Sequence, residues 1–159
     1  MAGAVKPIPD GYHAITVYLS IKGAADAIAF YQRAFGAVEL YRLGMPDGRV
    51  GHAELQIGDS RIMLADEMPE MPDAVARSPR TLKGTSLGLV LYLKDVDAAF
   101  AQAIAAGGTV KRPVKTQFYG DRSGTLEDPF GHVWTLATHV EDVSPEEMKK
   151  RMAALPAPG

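Results

Sequence analysis

The chain has 159 residues, no cysteine, and 17 basic against 19 acidic side chains for a net charge of −2. That length suits a single compact domain burying about 70% of its unfolded surface. The missing cysteines exclude disulfides and thiolate chemistry, and the balanced charge, without a basic stripe, argues against nucleic acid or an anionic membrane as partner. No apolar run reaches a membrane span, and the N-terminus lacks a signal peptide's charged-then-apolar layout, so a cytoplasmic location is expected.

Residues 1–11, with Pro7, Pro9 and Gly11, read as an extended arm. From His13 to Ile21 the chain alternates, with Ile15, Val17, Leu19 and Ile21 on one face, which predicts a half-buried strand. Ala24, Ile28, Tyr31 and Phe35 then fall on one helical stripe that Gly36 ends. Strands are expected at Val38–Leu43 and Val50–Ile57, and Gly58-Asp59 turns the chain into a third at Arg61–Ala65. The order is β-α-β-β-β.

That order recurs. Leu87, Leu89, Leu91 and Leu93 alternate; Val96, Phe100, Ala103 and Ile104 make a helical stripe, closed by Gly107-Gly108. Strands are expected at Val110–Val114, Gly120–Glu127 and His132–His139, the last two joined by the turn Asp128-Pro-Phe-Gly131. Val17 falls on Leu89, Ile28 on Phe100 and Gly36 on Gly108, each 72 apart, while Gly58 matches Gly131 at 73. The chain thus divides into an arm (1–11), one domain (12–142) and a C-terminal helix and tail (143–159). Within the domain, modules at 12–66 and 86–142 flank a linker or lid at 67–85, where Met68 and Met71 offer an adaptable apolar cover. Ser144-Pro-Glu-Glu147 is a capping box that starts the terminal helix.

In each module the helix must cover one face of the sheet. The opposite rows are mixed. They are Thr16, Tyr18 and Ser20; His52, Glu54 and Gln56; Arg61 and Met63; Gly88, Val90 and Tyr92; Ser123, Thr125 and Glu127; Trp134 and Leu136. Aromatic walls with a few polar handles are the usual lining of a small-molecule cavity, here expected between the two modules. Arg122, backed by Phe118 and Tyr119, offers a planar cation to a ligand carboxylate or phosphate; pairing with Asp121 in a tight loop is the structural alternative. His132 reads as an exposed strand-end residue, and His13 and His139 as structural.

The duplicated layout, with Ala27-Ile-Ala-Phe-Tyr-Gln-Arg-Ala-Phe-Gly36, Gly51-His-Ala-Glu-Leu55 and Glu127-Asp-Pro-Phe-Gly131, resembles the vicinal oxygen chelate superfamily. Those proteins include glyoxalase I, extradiol dioxygenases and bleomycin-binding proteins, and the PhnB-like branch is most similar. The resemblance implies an α+β fold of two βαβββ modules forming a half-barrel, and a homodimer. It also implies a divalent metal at four strand positions, which land here on Thr16, Met63, Gly88 and Leu136. None of these suits such an ion. His52 and Glu54, at i and i+2 on one strand face, are a displaced alternative for a metal, or for metal-free acid–base chemistry with Glu54 as base and His52 as orienter. The expectation is therefore a binding protein of the bleomycin-resistance type with no cofactor, contacting its ligand through Thr16, Tyr18, Gln56, Arg61, Met63, Tyr92, Tyr119, Arg122, Ser123, Thr125, Glu127 and Trp134. The alternative is an enzyme, either a lyase or isomerase of the glyoxalase type or a dioxygenase, with a divalent metal at His52 and Glu54.

Overall fold

A computed structural model describes residues 5–71 and 76–156, so the outer arm, residues 72–75 of the expected lid and the last tail residues lie outside the described residues. The chain splits into two compact units, Met1–Thr85 and Ser86–Gly159. The first holds β1 (Tyr18–Ile21), α1 (Ala24–Phe35), β2 (Val38–Gly44), β3 (Val50–Ile57), β4 (Ser60–Asp66) and a short α2 (Pro79–Leu82). The second holds β5 (Gly88–Tyr92), α3 (Val96–Ala105), β6 (Thr109–Thr116), β7 (Asp121–Glu127), β8 (Val133–His139) and α4 (Pro145–Ala153). Each unit carries one four-stranded sheet, ordered β1-β4-β3-β2 in the first and β5-β8-β7-β6 in the second. The first pair in each sheet is parallel and the rest antiparallel. The α+β fold of two βαβββ units follows the sequence pattern.

Helix α1 forms because Ala24, Ala27, Ile28 and Tyr31 make a stripe that it buries against the sheet. It stops at Gly36, whose φ of 66° is left-handed; the Gly36 N–H reaches the Gln32 carbonyl and the Ala37 N–H that of Tyr31. Its start is held from β4. Asp66 Oδ1 accepts from the N–H groups of Gly23 (3.0 Å) and Ala24 (2.9 Å), while Oδ2 accepts from Val50 (2.7 Å). In the second unit Thr138, 72 residues on (138 − 66), does related work: its Oγ1 accepts from Val96 N–H (3.0 Å) and donates to the Leu93 carbonyl (2.8 Å). Beneath α1 lie Leu19, Ile21, Ala53, Leu55 and Leu64, all buried. Beneath α3 lie Leu89, Leu126, Trp134 and Leu136. Each leucine or isoleucine among them contributes about 1.5–3 kcal/mol by leaving water. Gly124 must lack a side chain here, because a Cβ would meet Val114 at 2.8 Å and Phe100 at 2.9 Å.

Three expectations need correction, and one segment, the expected linker or lid, gains structure. Strand β1 begins at Tyr18 rather than His13, and Ile15, expected in the core row, is 88% exposed. Residues 67–85 contain α2, whose cap Ser78 is fully buried and donates to Glu67 Oε2 (2.9 Å), with Thr81 donating to the same oxygen (2.7 Å). His132 is buried, 4% exposed, rather than a wet strand end. The largest correction concerns β8. Met63 pairs with Tyr18 and Thr135 with Val90, so the fourth strands correspond at 72 (135 − 63) and not at 73. Glu54 faces Met63 as Thr125 faces Thr135, so the third strands correspond at 71 (125 − 54). Matching the turn glycines therefore put β8 one residue out of phase. A one-residue slip exchanges the faces of a strand. Trp134 and Leu136 belong to the helix side, and Thr135 and Ala137 to the open side.

Helix α4 is capped as expected, Ser144 Oγ accepting from Glu147 N–H at 3.2 Å, and none of its residues is buried. Arg151 ties it down, donating to Glu141 (2.7 Å) and to the Phe118 carbonyl (3.2 Å). None of the helices among the described residues is long and apolar enough to cross a membrane.

Candidate functional site

The open face of the first sheet carries Tyr18 on β1, Arg61 and Met63 on β4, and His52, Glu54 and Gln56 on β3, grouped by the strand registers. Three of these form a chain. Tyr18 Oη lies 2.9 Å from His52 Nδ1, and His52 Nε2 lies 3.3 Å from Glu54 Oε1. A carboxylate only accepts, so Nε2 bears the proton and Tyr18 donates to Nδ1. The other Glu54 oxygen accepts from Tyr12, the residue that follows the arm. That phenol, with His52 and Arg61, holds the Glu54 carboxyl below its ordinary range. Tyr12 shifts up in turn, through burial and then through Glu54, and burial raises Tyr18 as well. Arg61 is committed to the same arm. It lies over the Tyr12 ring at 4.9 Å, donates to the Asp10 carbonyl at 2.9 Å, and reaches Gln56 Oε1 at 3.3 Å. The second Gln56 contact, from Nε2 to the Gly58 carbonyl at 2.8 Å, closes this face on itself.

The second unit differs. A cavity of about 430 Å³ is lined by Arg112, Lys115, Gln117, Phe118, Tyr119, Ser123, Gly124, Thr125 and Thr135. Thr125 and Thr135 are hydrogen-bonded to each other at 3.0 Å, and Phe118 meets Tyr119 edge-on with centroids 5.3 Å apart. Beside the cavity Asp121 is buried. It accepts from Tyr92 Oη (2.7 Å) and pairs with His139 Nδ1 (2.8 Å), whose Nε2 reaches Asp142 (2.9 Å). The carboxylates of Asp142 and then Asp121 raise the His139 pKa, and the bond to Asp121 raises that of Tyr92.

Of the expected contact residues, Tyr119, Ser123 and Thr125 line this cavity. Glu127 shares their face but is engaged by Lys111 at 2.7 Å. Tyr18, Gln56, Arg61 and Met63 meet on the first sheet, whereas Thr16 precedes β1 and lies outside the strand. Trp134 is 3% exposed; its indole N–H donates to Asp128 Oδ2 at 3.0 Å, on the helix side. Arg122 falls on that side too, because it alternates with Asp121 and Ser123, and it clasps Asp97 of α3 through two bonds of 2.7 and 2.6 Å. The structure therefore removes Trp134 and Arg122 from the contact set.

Sequence reasoning missed Arg112, Lys115, Gln117 and Thr135. Arg112 and Lys115 are three apart, and strict alternation would put them on opposite faces. Irregular pairing brings them together: Arg112 faces Thr125 and Lys115 faces Ser123, three steps on β6 against two on β7. The available signal was Pro113, which inside a strand marks an edge or a bulge.

The family's metal positions, with the register corrected, are Thr16, Met63, Gly88 and Thr135. A thioether, a glycine and two neutral hydroxyls do not fit a hard or borderline divalent ion. At the displaced site both His52 nitrogens and both Glu54 oxygens have protein partners. Among the described residues no group of three or more His, Cys, Asp or Glu side chains is arranged so that it could hold a metal ion.

Comparison with known proteins agrees with this architecture. An uncharacterised protein of Mycobacterium bovis is 41% identical over 141 residues, 89% of this chain and 93% of that one. The crystal structure of TioX from Micromonospora sp. ML1 superposes with a TM-score of 0.63 at 25% identity, covering 80% of this chain and 99% of that one. The PhnB protein of Bacillus cereus shares the fold, with a TM-score of 0.60 at 20% identity over 79% of this chain and 99% of that one. Residues 13–136 match the family described as Glyoxalase/Bleomycin resistance protein/Dioxygenase superfamily, and the chain belongs to that superfamily.

Proposed function

We propose that the protein is a small-molecule-binding member of the superfamily, of the bleomycin-resistance type, that works without the family's metal and seats its ligand on the open face of the second sheet. The supporting observation is the cavity of about 430 Å³, a size typical of small-molecule sites, whose wall mixes the Phe118 and Tyr119 rings with polar groups. A homodimer, the family habit, and a cytoplasmic location are part of this reading. The test is a fragment panel of aromatic compounds followed by amide NMR shifts. Binders are expected to move the signals of Tyr119, Ser123 and Thr125; a panel that moves none of them sinks the assignment. Trp134 fluorescence is the wrong reporter, because the indole lies on the helix side.

A second reading rests on the Tyr18–His52–Glu54 chain, which has the form of a proton relay in a lyase or isomerase. Glu54 is held ionised and orients His52, so His52 rather than Glu54 would carry the proton, with Tyr18 at the exposed end. Full turnover by Glu54→Gln on any substrate found would end that reading.

A further inference from the structure

The chemistry of the second unit's cavity goes further than its size. Its polar lining consists of Arg112, Lys115, Gln117, Tyr119, Ser123, Thr125 and Thr135, and every one can donate a hydrogen bond. No carboxylate is among the described residues that line it. The nearby acids are already engaged, Glu127 by Lys111 and Asp121 by Tyr92 and His139.

Most of those donors lack a protein acceptor. Among the described residues the side chains of Arg112, Lys115, Gln117, Tyr119 and Ser123 make no hydrogen bond or ion pair, unlike Arg42, Arg49, Arg122 and Arg151, which are all clasped by acids. Ser123, only 4% exposed overall, gives its hydroxyl no partner among the described residues, and that oxygen keeps an open edge. A hydroxyl at the floor of such a recess is open to a partner from outside the protein. Between Thr125 and Thr135 one hydroxyl proton serves the mutual bond and the other is left to donate. The irregular pairing of β6 delivers both cations to the side of the sheet that carries these hydroxyls.

We propose that this cavity binds an oxyanion, a carboxylate or phosphate monoester, carried on a planar apolar body. Arg112 and Lys115 neutralise the charge, Ser123 and the threonine pair donate to its oxygens, and Phe118 and Tyr119 flank the flat body. Two cations and several donors without an acid select against cationic ligands by leaving them no counter-charge. The inference rests on the proposed binding function and names the ligand class for the same cavity.

The test uses the full-length protein and four probes of similar shape: benzoate, phenyl phosphate, neutral benzamide and cationic benzylamine. Binding is followed by amide NMR shifts at low and high salt. Benzoate or phenyl phosphate should bind at least tenfold more tightly than benzamide, benzylamine should not bind, and 0.5 M salt should weaken the anions several-fold. Arg112→Gln and Lys115→Met should each weaken anion binding by tenfold or more with unchanged amide spectra elsewhere. Ser123→Ala should weaken it a few-fold, and Lys149→Met, an equal charge change on α4, should leave it intact. Whichever of the two anions binds tighter identifies the headgroup. If benzamide moves the cavity amides as strongly as the anions do, the cavity binds ligands but the anion assignment is overturned. If no probe and no panel compound moves them, the binding function falls with it.

Discussion

The two units share one plan and use their open faces in opposite ways. On the first sheet the polar groups satisfy one another: Tyr18 to His52, His52 to Glu54, Glu54 to Tyr12, and Arg61 to the arm. On the second sheet two cations and the Ser123 hydroxyl have no partner among the described residues and surround a cavity. The contrast teaches where a duplicated fold keeps room for chemistry. A face whose hydrogen bonds are closed has little left to offer a ligand, whereas one with surplus donors is incomplete without one.

The largest expected effect tests the shared plan. Asp66→Ala removes the acceptor of three backbone N–H groups and should cost about 2–4 kcal/mol. Thr138→Ala, which strips one cap bond and one donor, should cost about 1 kcal/mol. Urea unfolding of both variants measures the difference, and equal losses would contradict the view that the units are anchored unequally. A smaller effect tests the face assignment of β8. Trp134→Phe should cost about 1–2 kcal/mol, by leaving buried Asp128 Oδ2 short of a donor, and should leave affinity for any cavity ligand unchanged. A variant of full stability and lost affinity would return Trp134 to the cavity.

The smallest effect is in pH. Glu54 is depressed, chiefly by Tyr12, so its contribution is complete above the unfolded value of about 4.3 and fades as pH falls through the lower folded value. His139 is raised, chiefly by Asp142 and then Asp121, so its contribution is complete below the unfolded value of about 6.5 and fades as pH rises through the higher folded one. The Tm gap between wild type and Glu54→Gln should therefore close in acid, and the gap to His139→Gln should close as pH rises beyond the unfolded value. A His139 gap that stays constant from pH 6 to pH 9 would show that its two acidic neighbours do not hold its proton.

The fold was legible in the sequence because each module's alternation and helical stripe follow from burial on one side, and burial leaves a periodic trace. The first unit's open face was legible for the same reason, since Tyr18, His52, Glu54, Gln56, Arg61 and Met63 all obey parity. Two kinds of residue escaped. Trp134 looks like a cavity aromatic by composition, and only the ladder register, set by the turn before it, shows that it belongs under α3. Arg112 and Lys115 are joined by a local break in pairing, which periodicity cannot express. Arg122 was a plausible anion ligand until α3 supplied Asp97, a contact 25 residues away in the chain.

The turn between β7 and β8 carries a consequence for engineering. With Asp128 N–H bonded to the His132 carbonyl (2.9 Å), three residues, 129–131, close this hairpin; Gly58 and Asp59 alone close the first. Grafting the shorter turn would restore uniform spacing between the duplicated halves and look harmless on paper. Yet the Asp128 carboxylate accepts from the N–H groups of Phe130 and His132 and from the Trp134 indole, so it joins turn to core. The longer turn works as a splice, and a transplant that kept Asp128 but dropped one residue would misalign its acceptors. Chimeras between halves of such proteins should therefore be cut inside strands, where registers are fixed, and not at the turns.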